Sequence, residues 1–156
     1  TTRKRIQKHF QQYPQLAHQR DLLTSIPGIG ETTAAILLAE MQDWKRFESA
    51  KQFAAYIGLT PREYTSGSSV RGRPQLSRIG SSRLRKALYM PAVVAKNHNP
   101  LIKAFCEKLL TRGKHKMQVI GAAMRKLAHL VYGVLKSSQP FDANYGSSTE
   151  PAAQAP

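Results

Sequence analysis

The run Asp21-Leu22-Leu23-Thr24-Ser25-Ile26-Pro27-Gly28-Ile29-Gly30-Glu31-Thr32-Thr33-Ala34-Ala35-Ile36-Leu37-Leu38-Ala39-Glu40-Met41 sets a Pro-Gly-x-Gly turn between two apolar patterns of helical period. Proline cannot continue the first helix, and glycine adopts positive φ without steric cost, so the two segments fold back on each other as a helix-hairpin-helix. In such a hairpin the backbone N–H groups that open the second helix face a phosphate without reading a base. Gly28 and Gly30 are therefore candidate nucleic-acid-binding residues. The same glycines would equally serve a hairpin that only packs the domain, and Asp21, Glu31 and Glu40 around it oppose a phosphate. Both readings stand at this level.

The rest of the chain reads as helices around one irregular stretch. Residues 1–20 look like the end of a preceding helix, and the absence of an initial Met suggests a piece cut from something longer. Ser49 to Ile57 forms a short helix with Ser49 near its start and Gly58 just past its end. From Pro61 to Gly80 Gly, Ser, Pro and Arg dominate without a sustained period, which predicts a long loop, and loops of that length inside compact domains are usually functional. Three helices follow: Ser82 to about Asn97 with Leu84, Ala87, Leu88 and Val94 on one face and a kink at Pro91, Leu101 to about Thr111 with Leu101, Phe105 and Leu109 as its stripe, and Met117 to about Lys136 with Ile120, Met124, Leu127, Val131 and Val134 inward. Residues 137–156, rich in Ser, Ala and Pro from Phe141 on, have little to bury and read as a disordered tail. The expected fold is mostly α: a helical domain over 21–136 with a helix-hairpin-helix at 21–41 and one long basic loop.

Charge says what such a domain meets. Twenty-four Lys and Arg against nine Asp and Glu give a net +15, so the partner is a polyanion and nucleic acid comes first. Residues 62–86 hold Arg62, Arg71, Arg73, Arg78, Arg83, Arg85 and Lys86 against Glu63 alone, whereas 21–48 are net acidic. The polyanion is expected against the middle of the chain. Arginines interleaved with glycine on a loop suit close phosphate approach. Arg83, Arg85 and Lys86, read as opening a helix, need an anion there to offset the dipole. No apolar run approaches the roughly 20 residues that span a bilayer, and no signal-peptide pattern opens the chain, so the expected place is the cytoplasm, beside the nucleoid. Cys106 is the only cysteine, which excludes a Cys-rich zinc finger, and its apolar neighbours make it a buried helix residue. His98, His115 and His129 have no metal-ligand spacing, so no metal is expected here, and His129 on an apolar helix reads as a satisfied core residue.

Ala55-Tyr56-Ile57-Gly58-Leu59-Thr60-Pro61, then Thr65-Ser66-Gly67, then Gly80-Ser81-Ser82-Arg83-Leu84-Arg85 follow one another in a specific order. With the hairpin, this order resembles the C-terminal domain of insertion-sequence transposases of the IS-one-ten, or IS-one-sixteen, group: Ala-x-x-Gly-Leu-x-Pro, a Ser-Ser-Gly, and Gly-x-x-x-Leu-Arg. The likeness covers roughly residues 15 to 135. It implies a DNA recombinase with an acidic DEDD domain of Holliday-junction-resolvase-like fold, which would carry Mg2+ and is absent from these residues, and a serine-bearing half like this one. It also implies a covalent phosphoserine intermediate, a structured guide RNA and a homo-oligomeric full-length protein.

Within that resemblance Ser66 fills the second position of Ser-Ser-Gly and is the candidate nucleophile. Thr65 replaces the first serine, and Ser68 and Ser69 lie close behind, so the hydroxyl used stays open among neighbours. A serine attacking phosphorus needs nearby positive charge to stabilise the transition state, which the arginines supply. No complete catalytic base is visible beside it; Glu63 is the nearest acid. Two other readings compete: a non-enzymatic hairpin module that binds DNA or RNA, and a ribosome-associated basic protein, which explains the charge but not the motif segments.

Overall fold

The computed structural model describes residues 2–41, 44–59 and 73–143, with residues 73–81 described by their backbone alone. Seven α-helices and one 3-10 turn make up these residues: α1 (Thr2–Gln12), α2 (Pro14–Thr24), α3 (Glu31–Glu40), the 3-10 turn (Trp44–Arg46), α4 (Ala50–Tyr56), α5 (Arg73–His98), α6 (Pro100–Thr111) and α7 (Lys116–Ser137). The mostly helical expectation holds, with no strand among the described residues.

α7 is the axis of the packing. It lies against α5, α4, α6 and α2, while α3 rests on α5 and α2, and α1 packs mainly on α2. The reason is its wide apolar face: Val119, Ala123, Met124, Leu127, Ala128, Val131, Tyr132, Val134 and Leu135 are all buried. They meet Leu84 and Leu88 of α5, Ile102 of α6, Phe53 of α4 and Leu23 of α2 in one core. Each such large side chain contributes about 1.5 to 3 kcal/mol when withdrawn from water. Aromatic rings close one end, where Trp44 meets Tyr132 edge-on at 5.9 Å and Phe53 lies near-parallel to it at 6.1 Å. The Tyr132 hydroxyl donates to the Phe47 carbonyl at 2.6 Å, tying α7 to the turn before α4.

Several boundaries differ from the sequence reading. Residues 1–20 are not one helix, because Pro14 restarts the chain at the first turn of α2 and residues 14–20 belong to the hairpin's first arm. α5 begins at Arg73, not Ser82, so the irregular stretch is shorter than Pro61–Gly80. Pro74 stands in the first turn, where its missing N–H costs nothing, and Gly80 is carried inside a 26-residue helix at about 1 kcal/mol relative to alanine. Pro91 also sits inside this continuous helix. The inward face of α5 is centred on Leu84, Leu88, Ala92 and Ala95, and Val94 is exposed. In α6 the buried stripe is Ile102 and Cys106, one residue along from the expected Leu101, Phe105 and Leu109. At the other end α7 runs to Ser137, and Phe141 packs on the core while its N–H donates to Ser25 Oγ at 2.8 Å. The chain past α7 is thus docked at its start; residues 144–156 lie outside the described residues.

Candidate nucleic-acid interface

The segments that carried the resemblance meet where α4 ends against α5. Ser49 opens α4 by accepting from the Gln52 N–H at 3.1 Å, and the Gln52 side chain accepts from the Glu48 N–H at 2.8 Å. These two side-chain bonds hold the helix start, one to the N-cap and one to the residue before it. Its other end is closed by Gly58 at φ +81: the Leu59 N–H reaches back to the Ala54 carbonyl and the Gly58 N–H to the Ala55 carbonyl, each at 2.9 Å. This pair of bonds is the Schellman arrangement, and glycine enters its left-handed position without strain. Leu59 is the last described residue before the stretch that holds Ser66.

Ser66, Arg62 and Arg71 lie outside the described residues, and Arg73 and Arg78 are placed only by the backbone of α5's first turns. Arg83, Arg85 and Lys86 do not open a helix. They stand ten to thirteen residues inside α5, so no helix-dipole argument applies to them. Their surroundings then separate them. Lys86 is exposed. Arg83, also exposed, reaches Glu40 of α3 at 3.3 Å, a surface pair of small energetic value. Arg85 is half-buried and donates from Nη1 to the Ile57 carbonyl at 3.1 Å. Between α3, the 3-10 turn, α4 and α5 is a depression of about 260 Å³, with Glu40, Tyr56 and Leu84 in its wall and Arg46 stacked on Phe47 and Tyr56 at 5.2 and 5.6 Å.

The hairpin turn is placed differently. Gly28, at φ +113, faces the protein: a Cβ there would stand 2.9 Å from Ala95 Cβ and 3.0 Å from the Pro91 carbonyl oxygen. Its side of the turn is occupied by α5. Gly30 faces open space and is the N-cap of α3, with Glu31 behind it in the first turn. Asn99, fully buried, joins this turn to α6. Its amide donates to the Pro27 carbonyl at 3.2 Å, and its Oδ1 accepts from the N–H groups of Leu101 and Ile102 at 3.0 and 3.2 Å. Sequence reasoning passed over Asn99, although Asn followed by Pro100 is a readable helix-start signal.

It also passed over charge on α7. Between Glu107 and Asp142 the chain has seven Lys and Arg and no acid. Arg125, Lys126 and His129 fall within one turn there. Among the described residues the Nε of Arg125 and the Nε2 of His129 are buried and have no hydrogen-bond partner, which differs from the satisfied core residue expected of His129. Burial first, then the charges of Arg125 and Lys126, hold the His129 imidazole down at about 4, and burial together with Arg125 lowers Lys126. Cys106 is buried as expected, and burial pushes its thiol up. Among the described residues no three His, Cys, Asp or Glu could hold a metal ion, and no helix is long and apolar enough to cross a membrane.

Residues 20–107 match the family described as Transposase IS116/IS110/IS902. The chain is 41% identical over 130 residues to a pilin gene-inverting protein of Moraxella bovis, covering 83% of this chain and 40% of that protein. It is 30% identical over 132 residues to an uncharacterized 43.6 kDa protein of insertion element IS110 from Streptomyces coelicolor, covering 85% of this chain and 32% of that one. It is 32% identical over 126 residues to the transposase for insertion sequence element IS1328 of Yersinia enterocolitica, covering 76% and 36%. The chain thus spans two fifths or less of the length of these relatives. With the family match covering more than half of its residues, the chain belongs to the IS116/IS110/IS902 transposase family.

Proposed function

We propose that this chain is the DNA-handling, serine-bearing part of a recombinase that moves a DNA element by strand cleavage and rejoining. The observation that carries the reading is the family match over residues 20–107, which spans the hairpin, the stretch containing Ser66 and the α5 cations in one block. The charge of +15 supports a polyanionic substrate. Relatives named for transposition and for gene inversion both point to strand exchange.

In this reading the Ser66 hydroxyl attacks a DNA phosphorus. The Oγ–P bond forms, the bridging P–O bond of the strand breaks, and the proton lost by the serine ends on the departing DNA hydroxyl. The phosphoserine ester keeps the energy of the broken bond, so a new DNA hydroxyl displaces the serine and rejoins the strand without an external energy source. Arg62, Arg71, Arg73 and Arg78 neutralise the phosphate as charge builds in the transition state, and Arg83 and Lys86 hold the flanking backbone. Gly30 and the first N–H groups of α3 offer a secondary phosphate contact, with Gly28 shaping the turn. Among the described residues no three His, Cys, Asp or Glu gather around a point, and the proposal assigns Mg2+ to the acidic domain that the resemblance implies. A guide RNA and a homo-oligomer, in the cytoplasm beside the nucleoid, complete the proposal.

The test is covalent capture of DNA. In a full-length family member carrying these residues, Ser66→Ala abolishes the protein–DNA adduct formed with element-end DNA. An adduct that persists in Ser66→Ala refutes Ser66 as nucleophile, and one that survives every substitution at Thr65, Ser66, Ser68 and Ser69 favours the alternative of a non-enzymatic helix-hairpin-helix module that binds DNA or RNA.

A further inference from the structure

We infer that Arg85 is a positioning residue that clamps the Ile57–Gly58 stem, from which the serine-bearing stretch departs, and is not a phosphate contact. The inference rests on the serine-recombinase reading above for what the clamp serves, but its geometry stands by itself.

Three observations converge on one guanidinium. Arg85 Nη1 donates to the carbonyl of Ile57, which caps the C-terminal end of α4, where helix carbonyls lack helical donors. The same Nη1 lies 2.7 Å from the point where a Cβ on Gly58 would stand, so a side chain there would push the guanidinium out of this position. Gly58 is also held at φ +81 by the bonds that close α4, a conformation that glycine adopts without strain, so the same residue suits both the helix end and the guanidinium's approach. The neighbours on α5 behave differently: Lys86 is exposed and Arg83, although it pairs with Glu40 at 3.3 Å, keeps most of its side chain in solvent, while Arg85 is half-buried and spends a donor on the protein's own backbone.

The consequence is local and mechanical. The chain leaves α4 after Leu59 and returns at Arg73 on α5, the helix that carries Arg85. The clamp therefore ties the end of α4 to the helix on which the described chain resumes. It also accounts for the two motif segments occurring together: the glycine of Gly-Leu-x-Pro and the arginine of Leu-Arg are in contact, 27 residues apart in the chain.

The experiment measures DNA affinity, its salt slope and the rate of adduct formation at saturating DNA for Arg85→Gln, Arg85→Lys, Gly58→Ala, the double variant and Arg83→Gln. Arg85→Gln should slow adduct formation about ten- to a hundredfold, the range expected when a reacting group is held slightly out of place. Affinity and salt slope should stay at the parent values, with melting above the assay temperature. Arg85→Lys should recover part of the rate, and the double variant should be no slower than the slower single. Arg83→Gln should do the reverse, weakening binding and flattening the slope. If Arg85→Gln lowers affinity and salt slope while the saturated rate is unchanged, Arg85 is a phosphate contact and the inference is wrong; if it changes neither, the inference is also wrong. Hydrogen exchange at the Gly58 and Leu59 amides decides the matter even if the parent protein forms no adduct, an outcome that would refute the serine chemistry and not the clamp. Protection there should fall in Arg85→Gln and hold in Arg83→Gln, and unchanged protection overturns the clamp.

Discussion

Gly28→Ala separates the two meanings of the hairpin turn. At φ +113 an L side chain is strained, which costs about 1 kcal/mol. The added methyl would also meet Ala95 Cβ at 2.9 Å, the Pro91 carbonyl oxygen at 3.0 Å and Ala95 Cα at 3.2 Å. Two of these three atoms are backbone in the last two turns of α5, so relief requires the turn and the helix to part, and overpacking of this kind costs about 1 to 3 kcal/mol. The sum is about 2 to 4 kcal/mol, or a fall in Tm of roughly 10 °C for a domain of this size. Urea unfolding followed by circular dichroism measures it, with Gly30→Ala as the control: Gly30 faces open space and loses only the difference between glycine and alanine at a helix start, under about 1 kcal/mol. Ala95→Gly in the Gly28→Ala background should restore more stability than it removes alone from the parent. The reasoning fails if Gly28→Ala unfolds within about 0.5 kcal/mol of the parent. It fails equally if the variant keeps its stability but loses nucleic-acid affinity, because the glycine would then face a phosphate and not α5.

Asn99→Ala removes the cap of α6 and leaves the Pro27 carbonyl without its donor; it should cost about 2 to 4 kcal/mol in the same unfolding assay. Asn99→Asp, which keeps the acceptor but cannot donate to Pro27, should fall between, and parent-like stability in both would show that the turn is held elsewhere. His129 predicts a pH dependence: its imidazole sits at about 4 in the fold against 6.5 ordinarily, so the unfolded chain takes the proton first as pH falls. Its contribution is complete above about 6.5 and is lost on the way down to about 4, worth about 1 to 2 kcal/mol after allowance for its partial exposure. His129→Asn should flatten that part of the stability profile, and an unaltered slope counts against it. Replacing Arg71, Arg73 and Arg78 with Ala should weaken DNA binding and reduce the salt slope by about 0.9 for each phosphate that is no longer neutralised. An unchanged slope would show that other cations neutralise the backbone.

The elements legible in the sequence were those that local chemistry decides. Ser49 and Gly58 bracket α4 because cap residues act within a few positions of themselves, and the Leu127–Val131–Val134 stripe exposes its own period. Boundaries failed where a long helix overrides a local preference: Gly80 and Ser81 look like punctuation, yet α5 runs through them. Arg85 illustrates the harder limit. As a residue type in a basic run it is indistinguishable from Arg83 and Lys86, and only the arrival of Ile57 beside it, 28 residues back, turns it inward. His129 failed for a similar reason: an apolar helix face says that a ring will be covered, but not whether a partner will be there.

Asn99 has a bearing on how this protein can be taken apart. Residues 14–41 look like a portable cassette, two helices and a tight turn of a sort that invites excision or grafting onto another scaffold. Yet the turn's carbonyl at Pro27 is satisfied by a side chain 72 residues downstream, its Gly28 is seated on Ala95, and Ser25 is engaged by Phe141. A transplanted hairpin would leave all three of those seats behind, and limited proteolysis of the whole chain should release no stable fragment ending near residue 41.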